Sequence, residues 1–137
     1  MALFYLDASA LVKLVGVEPE TSALLTFLAE ADLLSSELAL TEVPRAIRRA
    51  AVNDPALVPA LLMTRAEEIL DAVALLPADR TLLIAAGRLD EPVLRALDAI
   101  HLASAIDVSP IDAFVSYDER QSAAARLAGL RTVAPGR

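Results

Sequence analysis

Residues 94–106 read LRALDAIHLASAI, a helical pattern that is apolar almost all round and carries one carboxylate, Asp98, near its start. A helix of this kind belongs inside a domain, where aspartate is almost never fully buried unless it is paired or bound to a metal. Because burial of an unpaired carboxylate is unfavourable, the chain must provide either a cation or a proton for Asp98. We therefore expect Asp98 to share a site with other polar groups.

Two more aspartates follow apolar runs of strand length. Asp7 follows Ala2–Leu6, and Asp118 ends the run Ala113–Tyr117. Continuous apolar strands predict a parallel sheet covered on both faces, and such sheets bind ligands at the carboxyl ends of their strands. The two aspartates are thus expected at the same sheet edge. In the alternative interpretation, Asp7 or Ser9 only caps the following helix.

The rest of the chain alternates strand and helix patterns. These patterns predict a strand at Leu33–Ser35, a helix at Glu37–Ala51 kinked or broken at Pro44, a helix capped by Asp54 that continues over Leu57–Leu75 through or around Pro59, a helix at Thr81–Leu89 and an edge strand at Leu130–Val133. We predict that residues 1–137 form one domain, a three-layer α/β/α fold with a central parallel sheet.

Composition restricts the chemistry of any site. The chain has no cysteine and one histidine, which excludes disulfides, thiolate nucleophiles and multi-histidine zinc sites. A metal here must be held by oxygen, which favours Mg²⁺ or Mn²⁺. No apolar run approaches the ~18 residues of a membrane span, and the first residues lack a basic leader, so we expect a cytoplasmic protein with no membrane partner.

The net charge of −7 argues against a non-specific nucleic-acid binder, because neutralising phosphates requires Lys or Arg. The objection weakens if a bound metal neutralises some of the acids. Arg45, Arg48 and Arg49 form the best local cluster for contacting a nucleic-acid backbone.

A fourth acid, Glu42, lies within the apolar zone of its predicted helix. If Asp7, Glu42, Asp98 and Asp118 converge, their like charges raise at least one pKa unless a divalent cation neutralises them. A bound metal would polarise a phosphoryl oxygen and lower the pKa of a water molecule. This arrangement favours phosphodiester hydrolysis.

Four short motifs carry a resemblance to a known family. They are YLDASA at residues 5–10, LTEV at 40–43, LDAIHLA at 97–103 and SYD at 116–118. In order and spacing these motifs resemble those of PIN-domain ribonucleases, and among them the VapC-type toxins of prokaryotic toxin–antitoxin pairs. The similarity extends from Leu3 to about Val133.

The resemblance implies a Mg²⁺- or Mn²⁺-dependent endoribonuclease that acts on RNA. Its site residues are implied to be the carboxylates Asp7, Glu42, Asp98 and Asp118, with the hydroxyls of Ser9 and Ser116 as supports. It also implies a homodimer and a VapB-like antitoxin whose C-terminal segment occupies the groove near the acids. Metal at the carboxylates would receive phosphate, while one of four arginines steadies the strand: Arg45, Arg48, Arg49 or Arg95.

One further candidate ligand and two other classes of protein compete with this interpretation. His101 could share a metal with Asp98, but a lone histidine on an apolar helix is more often packed and hydrogen-bonded, so it is not assigned to the site. An aspartate-based phosphatase of the haloacid-dehalogenase type needs an acid two residues after the first, where this chain has Ser9. A non-catalytic protein-binding module needs no metal, so stabilisation by Mg²⁺ would discriminate against it.

Overall fold

The computed structural model describes residues 1–137 and is built on five strands. In chain order they are β1 (Leu3–Leu6), β2 (Asp32–Ser36), β3 (Ala74–Leu76), β4 (Ala113–Val115) and β5 (Thr132–Val133). All pair in parallel in the order β3-β2-β1-β4-β5, so β1 lies at the centre between β2 and β4. The reversal of strand order beside β1 places a crevice at its carboxyl end.

Seven helices cover the sheet. They are α1 (Ala8–Val15), α2 (Thr21–Leu28), α3 (Ala39–Asn53), α4 (Pro59–Asp71), α5 (Arg80–Gly87), α6 (Ala96–Asp107) and α7 (Glu119–Leu127). The first four pack together on one face of the sheet, and the last three pack on the other. The predicted three-layer α/β/α fold with a central parallel sheet is confirmed.

The central strand β1 explains why two separate layers form. Its side chains alternate between the two faces: Phe4 and Leu6 join the core beneath α1–α4, whereas Tyr5 joins the core beneath α6 and α7. All three are buried. An apolar run without polar interruption is therefore the pattern expected of a strand covered on both sides.

The helix predicted over Leu57–Leu75 was wrong at both ends. The helix begins at Pro59, where the missing amide hydrogen costs nothing, and it ends at Asp71. Residues Ala74–Leu76 are the edge strand β3, paired with β2. A short apolar run fits either element, and here pairing with β2 decides the outcome.

Two smaller predictions nearby are also resolved by the structure. Asp54 accepts a hydrogen bond from the Ala56 amide within a turn, so it does not cap the following helix. Pro44 lies inside α3, which continues from Ala39 to Asn53. No helix in the structure combines the length and the apolar character that a membrane crossing requires.

Candidate active site

Asp7 and Asp118 follow the neighbouring strands β1 and β4, at the same edge of the sheet. Each also caps the next helix: the Asp7 carboxylate accepts from the Ala10 amide at 3.1 Å, and that of Asp118 accepts from the Gln121 amide at 3.1 Å. The predicted cap at Asp7 is confirmed. An aspartate can therefore cap a helix and also lie at the carboxyl ends of the strands, because the first turn of each helix begins there.

Two serine hydroxyls fix the Asp7 carboxylate. Ser9 Oγ donates to Asp7 Oδ1 at 2.6 Å, and Ser116 Oγ donates to Asp7 Oδ2. The same hydroxyls accept hydrogen bonds from backbone amides of the loop after β4. The Tyr117 amide donates to Ser9 Oγ at 2.9 Å, and the Asp118 amide donates to Ser116 Oγ at 3.0 Å. This network ties the ends of β1 and β4 together and holds Asp7 beside Asp118.

Asp7 is only 4% exposed, which makes its charge costly. Burial raises the pKa of the Asp7 carboxyl, while the hydrogen bonds from Ser116 and Ser9 act in the opposite direction. The nearby His101 also lowers it, as does the Ala10 amide. The hydroxyl donors thus stabilise the carboxylate form that a metal ligand requires.

Glu42, in the first turn of α3, is paired with a residue that the sequence analysis left out of the site. Its Oε1 lies 2.6 Å from Nε2 of His101 on α6, and His101 Nδ1 lies 2.9 Å from the Tyr5 hydroxyl. Burial raises the pKa of Tyr5, which keeps the phenol protonated and able to donate to Nδ1. That assignment leaves the Nε2 hydrogen to donate to Glu42. His101 is buried and hydrogen-bonded, as predicted, and its partner is one of the four acids.

Asp98 lies half-buried in the first turn of α6. Burial raises the pKa of its carboxyl, and the negative charge of Asp118 raises it further. Arg95 and His101 lower it, and Glu42 adds a smaller upward effect. Two of the other acids, Asp118 and Glu42, therefore lie close enough to Asp98 for their charges to act on its carboxyl.

Gln121 is a site neighbour that the sequence analysis missed. The side chain is fully buried on α7, and its Nε2 donates to the Asp98 carbonyl at 3.1 Å. Its Oε1 has no hydrogen-bond partner. The spacing Asp118-x-x-Gln121 is a capping-box signal, so the sequence did mark this position, but only the fold reveals that the amide reaches α6.

The donor chemistry fits a hard divalent cation, since every candidate ligand is a carboxylate or hydroxyl oxygen. The arrangement is not a preformed ligand shell, because no three Asp, Glu or His side chains stand together as a metal-binding group. Both Asp7 carboxylate oxygens accept hydrogen bonds from serine hydroxyls, and one Glu42 oxygen is hydrogen-bonded to His101. Metal binding at this edge would therefore require the carboxylates to turn toward a common point.

Comparison with known families and solved structures agrees with the fold. A family profile described as "PIN domain" matches residues 4–127. Among solved structures, the Mycobacterium tuberculosis toxin VapC20, described as Sarcin-Ricin loop cleaving, superposes with a TM-score of 0.72 at 19% identity, covering 96% of this chain and 99% of the other. VapBC2 from Rickettsia felis, bound to a DNA fragment from its promoter, superposes with a TM-score of 0.67 at 12% identity, covering 96% and 97%.

Curated sequence relatives identify the group within the PIN-domain family to which the chain is similar. Ribonuclease VapC35 of Mycobacterium tuberculosis is 38% identical over 140 residues, covering 98% of each chain. Ribonuclease VapC46 of the same organism is 39% identical over 137 residues, covering 98% of this chain and 99% of the relative. The chain therefore belongs to the PIN-domain family and, within it, to the VapC proteins.

Proposed function

We propose that this chain is a metal-dependent endoribonuclease and the toxin of a VapBC-type toxin–antitoxin pair. The observation that carries the proposal is the Ser116 hydroxyl, which joins the Asp7 carboxylate to the Asp118 backbone at the carboxyl ends of β1 and β4. Nearby, the negative charges of Asp118 and Glu42 add to burial in raising the pKa of Asp98. Asp7 lies at the same edge as Asp118. The full-length similarity to ribonucleases named VapC supports an RNA substrate for that edge.

The proposed cofactor is Mg²⁺ or Mn²⁺, held by Asp7, Glu42, Asp98 and Asp118. An edge with this charge repels a phosphodiester, because like charges in a partly buried site interact strongly. A cation is needed before phosphate can approach. When bound, the metal would supply charge neutralisation and an activated water for attack on phosphorus.

The other residues of the site act by orienting these carboxylates. Ser9 and Ser116 donate hydrogen bonds to the two oxygens of Asp7, and the Ser116 hydroxyl also accepts one from the Asp118 amide. His101 fixes one oxygen of Glu42 and leaves the other free for a ligand. These contacts hold the side chains in place around the site, while metal binding would still have to turn the carboxylates toward a common point.

Two partners are proposed beside RNA. The first is a VapB-like antitoxin whose C-terminal segment covers the groove near the acids; the similarity in fold to VapBC2 from Rickettsia felis supports this pairing. The second is another copy of the chain in a homodimer. Exposed apolar side chains on α5, Leu83 and Ile84, offer surface that a dimer could cover.

The proposal is tested by incubating purified, antitoxin-free protein with total RNA from a prokaryotic cell in Mg²⁺, Mn²⁺ or EDTA. Discrete products that require metal and are absent with Asp98→Asn are expected. Asp71→Asn is the matched control, because Asp71 is exposed at the end of α4. It lies just before β3 begins, and so near the amino ends of the parallel strands, whereas Asp7 and Asp118 follow their carboxyl ends. Cleavage that persists in EDTA, or equal cleavage by Asp98→Asn, would contradict the proposal.

A further inference from the structure

A groove leads away from the acidic edge between α1 and α3. It has a volume of about 500 Å³, and Ser9 and Glu42 lie among its lining residues. Because both belong to the candidate active site, the groove is continuous with that site. A polymer whose backbone reached the acids could continue along it.

Two of the three arginines on α3 line this groove. Arg45 and Arg49 are four residues apart and so share one face of the helix, whereas Arg48 is not among the lining residues. Their spacing corresponds to about 6 Å along the helix axis. That distance is comparable to the separation of neighbouring phosphates in a single strand.

Arg45 and Arg49 are also the groove's unneutralised cations. Both are exposed, and neither forms an ion pair. The other cation in the groove, Lys13, is buried and paired with Glu18 at 3.1 Å and Glu20 at 2.8 Å. On a chain with a net charge of −7, two free arginines in one groove form a local anion-binding surface.

We propose that Arg45 and Arg49 bind neighbouring phosphates of the RNA strand as it leaves the acidic edge. The inference rests on the proposed function and adds a strand path along α3. Of the four arginines that the sequence offered as contacts for the strand, it selects Arg45 and Arg49, because the other two, Arg48 and Arg95, do not line the groove. RNA is favoured over an acidic peptide because the groove begins at the site where a phosphodiester would be cleaved.

The test measures binding of a labelled single-stranded RNA, in Mg²⁺ and over a range of salt concentrations, to chains that keep all four carboxylates. The RNA carries phosphorothioate linkages, which retain the negative charge and slow cleavage. Adding Arg45→Ala or Arg49→Ala is expected to weaken binding about tenfold each and to flatten the salt dependence by about 0.7 per lost phosphate contact. Arg48→Ala is the matched control, with the same charge change on the same helix, and is expected to have a much smaller effect.

Two outcomes overturn the inference. One is an equal loss of affinity for all three arginine variants, which indicates net charge alone. The other is unchanged RNA binding in Arg45→Ala and Arg49→Ala, including the case in which they weaken only an antitoxin complex. Melting curves must match those of the parent, as expected for exposed side chains.

The failure of this inference can be distinguished from the failure of the proposed function. Metal-dependent cleavage by the unsubstituted chain, combined with equal binding by the three variants, overturns only the strand path. Selective loss of binding in the two groove variants, with no cleavage under any metal, supports the strand path and contradicts the ribonuclease proposal.

Discussion

At the scale of single residues, the protonation of Asp98 depends on burial and on the charges of two other acids. Its pKa is raised by burial and by Asp118, so its ionised form is less stable in the folded chain than in the unfolded one. The stability this gives is fully present below the ordinary aspartate pKa and is lost as the pH rises through the raised value. At neutral pH, the charge on Asp98 therefore destabilises the metal-free fold.

Replacement of Asp98 by asparagine is expected to raise the melting temperature of the metal-free protein at pH 7 and to lower RNA cleavage by about a thousandfold. The gain in melting temperature should shrink as the pH approaches 4, because Asp98 itself then takes up a proton. Thermal melts from pH 4 to 8, with EDTA, measure this. A lower melting temperature for Asp98→Asn at pH 7 would contradict the electrostatic assignment.

The pairing of Glu42 with His101 gives a second prediction at this scale. Tyr5→Phe removes the donor to His101 Nδ1 from a fully buried position and is expected to cost about 1–3 kcal/mol in the free energy of unfolding. Cleavage should fall as well, because Glu42 loses its fixed orientation. Urea denaturation provides the first measurement and single-turnover cleavage the second. Unchanged values in both would show that the chain of hydrogen bonds has no role.

Residue identities were predictable from the sequence where local patterns mark them. Asp7 and Asp118 end apolar strands, and Asp98 stands out in an apolar helix. Their partners were not predictable: Glu42 and His101 are 59 residues apart, and Asp7 and Ser116 are 109 apart. Contacts of this kind depend on how helices pack across the sheet, which no short pattern specifies.

At the scale of elements, the sequence identified four of the five strands, including the edge strand β5, and missed β3 at the other side of the sheet. β1 and β4 are continuous apolar runs in the middle of the sheet, so their assignment was correct. β3 has only three residues and follows α4 closely, so its apolar residues extended a helical pattern. Periodicity alone does not separate so short an apolar run from a continuation of the preceding helix.

Helix termini provide a matched pair of substitutions. Gly129 follows α7 with a φ of +90°, and an added Cβ would meet nothing within 4 Å, so Gly129→Ala tests backbone conformation alone. It is expected to destabilise the fold by about 1 kcal/mol. Gly87 ends α5 without a positive φ and with the same open space, so Gly87→Ala should stabilise by about 0.4–1 kcal/mol. Chemical denaturation compares the two, and equal effects would contradict this assignment of the helix ends.

At the scale of the whole molecule, the parallel sheet brings distant acids to one edge. Asp7 and Asp118 come from strand ends, while Glu42 and Asp98 come from the first turns of α3 and α6 on opposite faces. A shared site for the four was implied by the family resemblance, and it stays a prediction because no three of them stand together as a ligand group. The sequence did not predict the groove, because helical spacing relates Arg45 to Arg49 but does not say which face of α3 turns toward α1.

The central claim is that the four acids form one site that a divalent cation neutralises, although no three of them stand as a ligand group in this structure. The most direct test is the shift in melting temperature on adding Mg²⁺ to the purified chain, beside Asp98→Asn and the control Asp71→Asn. At about 100 times Kd, a single bound ion stabilises by about 2.7 kcal/mol, which corresponds to a rise of about 8 °C for a chain of this size. We expect that rise for the unsubstituted chain and for Asp71→Asn, with little or none for Asp98→Asn. No rise in the unsubstituted chain, or an equal rise in all three, would contradict the claim.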